Sequence, residues 1–247
     1  MLKKITVNTF VSSLGRILGG VLALFSVGLI TRALGTKGFG EYSTVVAYLS
    51  TFQILADLGL YSLLTKEISQ NPTEEKRLVS NYFTLRLVVA SVFLGVASLL
   101  VFLLPYSEVV KLGVVFTASG FLFLSLSQIF LGVFQKYIQI YKAAIAEVLG
   151  RAVQLGLVWY FFQNNSELLF FLSALVVGSF VIFIINFIFA RRLVRFNLKT
   201  SLKEWKRIIK TTYPIAVSLV FTLLYFKLDT ILLSIMKSQE DVGIYNA

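Results

Sequence analysis

The chain has 247 residues, of which 57% are hydrophobic and only 14% charged, and its mean hydropathy is +0.83. A soluble domain carries roughly 25% charged residues, so this composition excludes an ordinary water-soluble fold. The formal net charge of +11 would suit a nucleic-acid binder, but the basic residues fall in short segments between apolar runs, which excludes that reading. With no cysteine and no histidine, disulfides, thiol catalysis and the usual zinc sites are excluded, and no cofactor or metal is expected.

A bilayer core of ~30 Å needs about 20 helical residues. Apolar runs of that length are expected to span at 9–34, 42–64, 82–104, 112–134, 143–162, 168–190 and 213–236. They are continuously apolar and lack the alternation of barrel strands, so the fold class is all-α, a polytopic membrane helix bundle. The first run follows Met1 to Lys4 and has no small-residue cleavage site at its end, so it reads as a retained helix and not a signal peptide. Gly35, Gly38 and Gly40 mark the loop after it. Asn71-Pro72-Thr73-Glu74-Glu75 reads as a helix start, with Asn71 as the cap and two acids in the first turn. Pro105 closes the third span, and Gln163-Asn164-Asn165-Ser166 separates the fifth from the sixth. Over 200–210, Leu202, Trp205, Ile208 and Ile209 recur at helical spacing with Lys203, Lys206, Arg207 and Lys210 between them. That pattern predicts a basic amphipathic helix on the cytoplasmic membrane surface.

Orientation follows from the distribution of lysine and arginine. With the N-terminus in the cytoplasm, the inner segments hold most of the 23 basic residues, among them Lys66, Lys76, Arg77, Lys136, Lys142, Arg191, Arg192, Arg195 and Lys199. The outer segments hold only Arg32, Lys37, Lys111 and Lys237.

Charges inside the spans are the candidate functional groups, because one near the bilayer centre costs ~2.5–3.5 kcal/mol unless it meets a partner or a wet cavity. They are Arg16, Asp57, Arg86, Arg151, Lys227 and Asp229, with Glu147 near a border. Arg16 lies among Ser12, Ser13, Gly15, Gly19 and Gly20, which permit close approach. Asp57 is too short to reach the interface and is expected to pair with Arg16 or Arg86. Arg86, one turn into its expected span, reads as a snorkelling arginine. Glu147 and Arg151 are spaced to pair on one helix face, and Gln154 extends that face. Lys227 and Asp229 lie on different faces of the last span, where Pro214 is expected to bend the first turn. Basic groups outnumber acids in this set, so a cavity built from it would favour an anionic ligand such as a phosphate or pyrophosphate. The expected substrate-binding residues are Arg16, Arg86, Arg151 and Lys227. The expected coupling or gating residues are Asp57, Glu147 and Asp229.

Several of these segments resemble a family. Ser13-Leu14-Gly15-Arg16, the stretch from Thr31 through Phe39-Gly40-Glu41-Tyr42-Ser43, Asp57-Leu58-Gly59, Leu228-Asp229-Thr230 and the closing Val242-Gly243-Ile244-Tyr245-Asn246-Ala247 are similar to the bacterial polysaccharide flippases of the Wzx type. These lie in the superfamily of multidrug and toxin extrusion exporters and lipid II flippases. The resemblance implies two similar helical bundles, of which this chain would hold the first (1–198), a cytoplasmic linker helix (199–211) and the first helix of the second (212–247). Val242-Gly243-Ile244-Tyr245 echoes Phe39-Gly40-Glu41-Tyr42, as an internal repeat would. The resemblance further implies a non-enzymatic transporter of the bacterial cytoplasmic membrane. Its substrate would be an oligosaccharide linked to a polyprenyl pyrophosphate, moved by alternating access and coupled to protons, sodium or the membrane potential. Membrane lipids and glycan-assembly proteins are the implied partners, and no nucleic acid is. A drug exporter of the same superfamily would call for a more acidic cavity. A membrane glycosyltransferase or polymerase would call for catalytic acids in sizeable loops. A non-transporting scaffold would call for neither.

Overall fold

The structure is a computed structural model. It describes the backbone of residues 2–57 and 59–246, while the side chains of 2–5, 7, 215, 216, 219, 220, 222–231, 234, 239 and 246 lie outside the described residues. The described chain is predominantly helical, as an apolar solvent requires, since a helix satisfies its own backbone. In order, the helices are α1 (Leu2–Asp57), α2 (Leu60–Gln70), α3 (Glu75–Leu100), α4 (Glu108–Lys136), α5 (Tyr141–Gln163), α6 (Leu168–Leu193), α7 (Leu202–Met236) and α8 (Gln239–Asn246). Among the described residues, five helical stretches are long and apolar enough to cross a membrane, the first running over Asn8–Gln70.

That first stretch holds two of the expected spans. The chain reverses at Gly35, whose φ of 64° and ψ of −174° suit only glycine. Ala23, Ser26 and Ile30 from before the turn and Tyr42, Val46 and Ser50 from after it line one cavity, as an antiparallel hairpin requires. The expected loop of three glycines is a turn at one. Gly38 and Gly40 already belong to the returning helix.

A second break falls at mid-span. Helix α1 stops at Asp57, Gly59 takes a left-handed conformation (φ 70°, ψ 17°), and α2 continues to the membrane edge. The expected cap at Asn71 is not made. Its side-chain amide donates back to the Glu67 carbonyl at 3.3 Å, and a short 3-10 turn over Pro72–Glu74 leads into α3.

The bundle has two apolar cores. One gathers Ile30, Val45, Leu49, Val101, Val110 and Phe171, and the other Leu60, Leu64, Leu78, Phe83, Phe130 and Phe196. Between them lies a polar layer. Small residues set the helix spacing. A Cβ on Gly150 of α5 would come within 2.3 Å of the Ile182 side chain and 2.8 Å of the Gly178 carbonyl on α6.

After α6 the chain runs extended along α3. The Asn197 and Lys199 amides donate to the hydroxyls of Ser80 and Thr84, and Phe196 inserts among Phe83, Phe130 and Phe187. Ser201 caps α7 by accepting from the Glu204 amide. The start of α7 docks on the bundle. Ile208 is fully buried and Trp205 packs on the second core, so of the apolar residues expected at a lipid surface only Leu202 and Ile209 remain exposed. Arg207 donates to both carboxylate oxygens of Glu67, at 2.6 and 3.0 Å, and these bonds raise its pKa above the ordinary value despite burial. Helix α7 continues through Pro214 without interruption, and α8 brings Gly243 onto the Thr36–Gly40 turn.

Candidate functional site

The polar layer has two parts, a closed cluster and an open cavity. The cluster forms at the helix break. Arg86 is 0% exposed and donates to Asp57 Oδ1 at 2.6 Å, to the Ala56 carbonyl at 3.2 Å, to the Ser125 carbonyl at 3.2 Å and to Gln128 Oε1 at 2.7 Å. Breaking a helix leaves its last carbonyls without amide partners. Here a guanidinium takes one of them and balances the neighbouring carboxylate. Arg86 does not snorkel, contrary to expectation. Helix α3 begins at Glu75, well before the expected start of the span, so Arg86 lies too deep to reach the interface.

The cavity lies between the α1 hairpin and helices α4, α5 and α6. Its upper part, about 320 Å³, is lined by Ser26, Tyr42, Ser50, Gln53, Arg151, Gln154 and Ser179 among others. Its lower part, about 270 Å³, shares Gln53 and Arg151 and adds Ser127, Gln128, Glu147 and Asn186. Amides, hydroxyls, one guanidinium and one carboxylate therefore face a common space within an apolar bundle.

Arg151 is the cationic group of this wall. Its Nη1 donates to Gln154 Oε1 at 3.2 Å, and its Nε is buried without a partner. The expected Glu147–Arg151 pair is not formed. Arg151 turns towards Gln154, while Glu147 lies across Gly19, where an added Cβ would meet its Cγ at 3.4 Å. Asn186, only 3% exposed, also leaves its Oδ1 unpartnered. A buried guanidinium N–H and a buried amide oxygen, both unsatisfied, can respectively donate a bond to a polar guest and accept one from it.

The seven expected residues thus separate. Arg151 and Glu147 line the cavity. Asp57 and Arg86 sit beside it as a closed pair, joined to it through Gln128. Arg16 is exposed on the first limb of α1 and lines neither part of the cavity. Lys227 and Asp229 lie outside the described residues. The ionised residues alone do not mark this wall, which Gln128 and Asn186 share. The signal was there, because an amide in an otherwise apolar span, as in Ile184-Ile185-Asn186-Phe187, is costly unless it meets a partner or a ligand.

Residues 5–247 match the family described as polysaccharide biosynthesis protein. The chain belongs to that family. It is the family of the Wzx-type flippases, and the match covers the α1 hairpin, the cavity and α7 alike. The family is transporter-like, and a multi-pass bundle with a polar interior agrees with that character. No curated protein and no solved structure gives a significant match.

Proposed function

We propose that this protein carries a lipid-linked oligosaccharide across the bacterial cytoplasmic membrane for cell-surface polysaccharide synthesis, with its N-terminus in the cytoplasm. The observation that carries the reading is the cavity wall: amides and hydroxyls around the Arg151 guanidinium, whose buried Nε has no partner, inside a membrane-sized bundle. The physical task is to move hydroxyls and a pyrophosphate past hydrocarbon while the polyprenyl chain stays in lipid. Amide and hydroxyl groups replace the water lost by sugar oxygens. A guanidinium in a site shielded from water attracts an anionic group more strongly than it would in bulk solvent. Of the other expected substrate ligands, Arg16, which lines neither part of this cavity, and Lys227 are assigned to the anionic headgroup. Glu147, Asp57 and Asp229 are assigned to coupling or gating, Glu147 being the cavity's own acid. An organic cation would meet Arg151 unfavourably, which ranks drug export below glycan transport.

The test is export in cells and flipping in vesicles loaded with a polyprenyl pyrophosphate-linked glycan. Arg151→Gln keeps a side chain that can reach Gln154 but removes the charge. A hydrogen bond to a charged group is worth about 1.5–3 kcal/mol, so transport at limiting substrate is expected to fall at least tenfold with protein level unchanged. Transport at the wild-type rate would remove Arg151, and with it this reading of the cavity.

A further inference from the structure

Gln128 belongs to both halves of the polar layer. It stands in the middle of α4, its Oε1 accepts from Arg86 Nη2 at 2.7 Å, and the same side chain lines the lower cavity beside Gln53, Glu147 and Asn186. A guanidinium has donors only, so the amide can meet it only through its oxygen. The reverse orientation would set N–H against N–H. The amide nitrogen must therefore point away from Arg86. Among the described residues no acceptor takes a bond from Gln128 Nε2, and that atom is not among the buried orphans of the layer. Two N–H donors of fixed direction are thus offered to the cavity. The guanidinium behind them polarises the amide and strengthens them, as neighbouring members of a hydrogen-bond chain do.

We propose that Gln128 is a ligand-binding donor of this cavity, taking an oxygen of the translocated headgroup, and that Arg86 is the positioning residue that aims it. Arg86 never touches the ligand. Its remaining bonds go to Ser125 on α4 and to Ala56 and Asp57 at the end of α1, so the donor is fixed relative to the helix break before Gly59. A ligand bonded to Gln128 is linked through one side chain to the place where the second span can bend. Pyrophosphate and sugar both offer such an oxygen, and the chemistry at Gln128 is the same for both.

This inference rests on the glycan-transport reading, and binding measurements keep the two apart. The probes are polyprenyl pyrophosphate and the same lipid bearing a disaccharide, each titrated onto the purified protein in lipid nanodiscs. Binding of neither probe to the wild type would sink the transport reading, and this one with it. Given binding, Gln128→Glu keeps an acceptor for Arg86 and is expected to hold the thermal midpoint, but it removes both donors. Gln128→Met removes them without adding charge. Each is expected to weaken a probe at least tenfold. Weakening of both probes identifies a phosphate oxygen, and weakening of the disaccharide probe alone identifies a sugar oxygen. Wild-type affinity for both probes in either folded variant overturns the assignment. Arg86→Lys tests positioning. It should weaken binding in the wild type yet add nothing in Gln128→Met, whereas additive losses would show that Arg86 acts by another route.

Discussion

The four bonds of Arg86 are the point where sequence and structure differ most, and they set the first expectation. Removing one partner of a buried pair leaves the other charge uncompensated, a loss of about 3–5 kcal/mol. Arg86→Met would strand the Asp57 carboxylate and leave the Ala56 and Ser125 carbonyls and Gln128 without their donor. A fall of that size in the unfolding free energy is expected in detergent titration. Adding Asp57→Leu should recover part of it, because the stranded charge is then gone. A variant as stable as the wild type would show that the cluster contributes little. The sequence exposed these charges readily, since ionised side chains stand out in apolar runs. It did not reveal their partners. Depth judged along the chain put Arg86 near an interface, but depth in space depends on where α3 begins, and that start lies at Glu75. The amides were harder to see, because Gln128 and Asn186 carry no charge and their importance appears only when α4, α5 and α6 close around one space.

Helices were legible at this scale because apolar length alone specifies them, and the described spans fall where hydropathy places them. Their breaks were less so. Glycine marks a turn in a sequence without saying which of several glycines turns. Among the described glycines only Gly35 and Gly59 take a positive φ. At Gly35 the φ/ψ pair lies where a side chain costs about 1–3 kcal/mol. Gly35→Ala should therefore lower the thermal midpoint and loosen the hairpin. Gly20→Ala is the matched control. That residue is helical, nothing lies within 4 Å of its added Cβ, and alanine is the better helix former, so the midpoint should stay level or rise. Equal losses in the two variants would mean that bulk on α1, and not the turn, is what the protein resists. The amphipathic segment shows the converse difficulty. Periodicity found the helix at the start of α7, but the same apolar stripe suits a lipid surface or a protein groove. Ile208 and Trp205 take the groove because the extended strap through Phe196 and the Glu67–Arg207 bonds hold that end of α7 against α2 and α3.

For the whole molecule, side-to-side contacts sort the connections into two faces without reference to charge. On one face Ser107 donates to Glu41, and Gly243 rests on the Thr36–Gly40 turn. On the other the Tyr141 amide donates to Asn8, Lys136 and Tyr137 meet Glu75, and Arg207 meets Glu67. The connections alternate between these faces as a multi-pass bundle requires, so fixing the orientation of one loop fixes all. Lys66, Lys76, Arg77, Lys136, Lys142, Arg191, Arg192, Arg195 and Lys199 gather on the second face, and that bias places it in the cytoplasm under the proposed orientation. The native sequence has no cysteine, so a single introduced thiol reports its own side cleanly. Lys37 and Asn164 are exposed on the first face, and Lys199 on the second. With a membrane-impermeant maleimide on intact cells, Lys37→Cys and Asn164→Cys are expected to label at once, and Lys199→Cys only after the membrane is opened. The opposite pattern would invert the orientation and put the basic face outside. Unequal behaviour of Lys37→Cys and Asn164→Cys would break the alternation itself, because two sites on one face of a single bundle cannot lie on opposite sides of a bilayer.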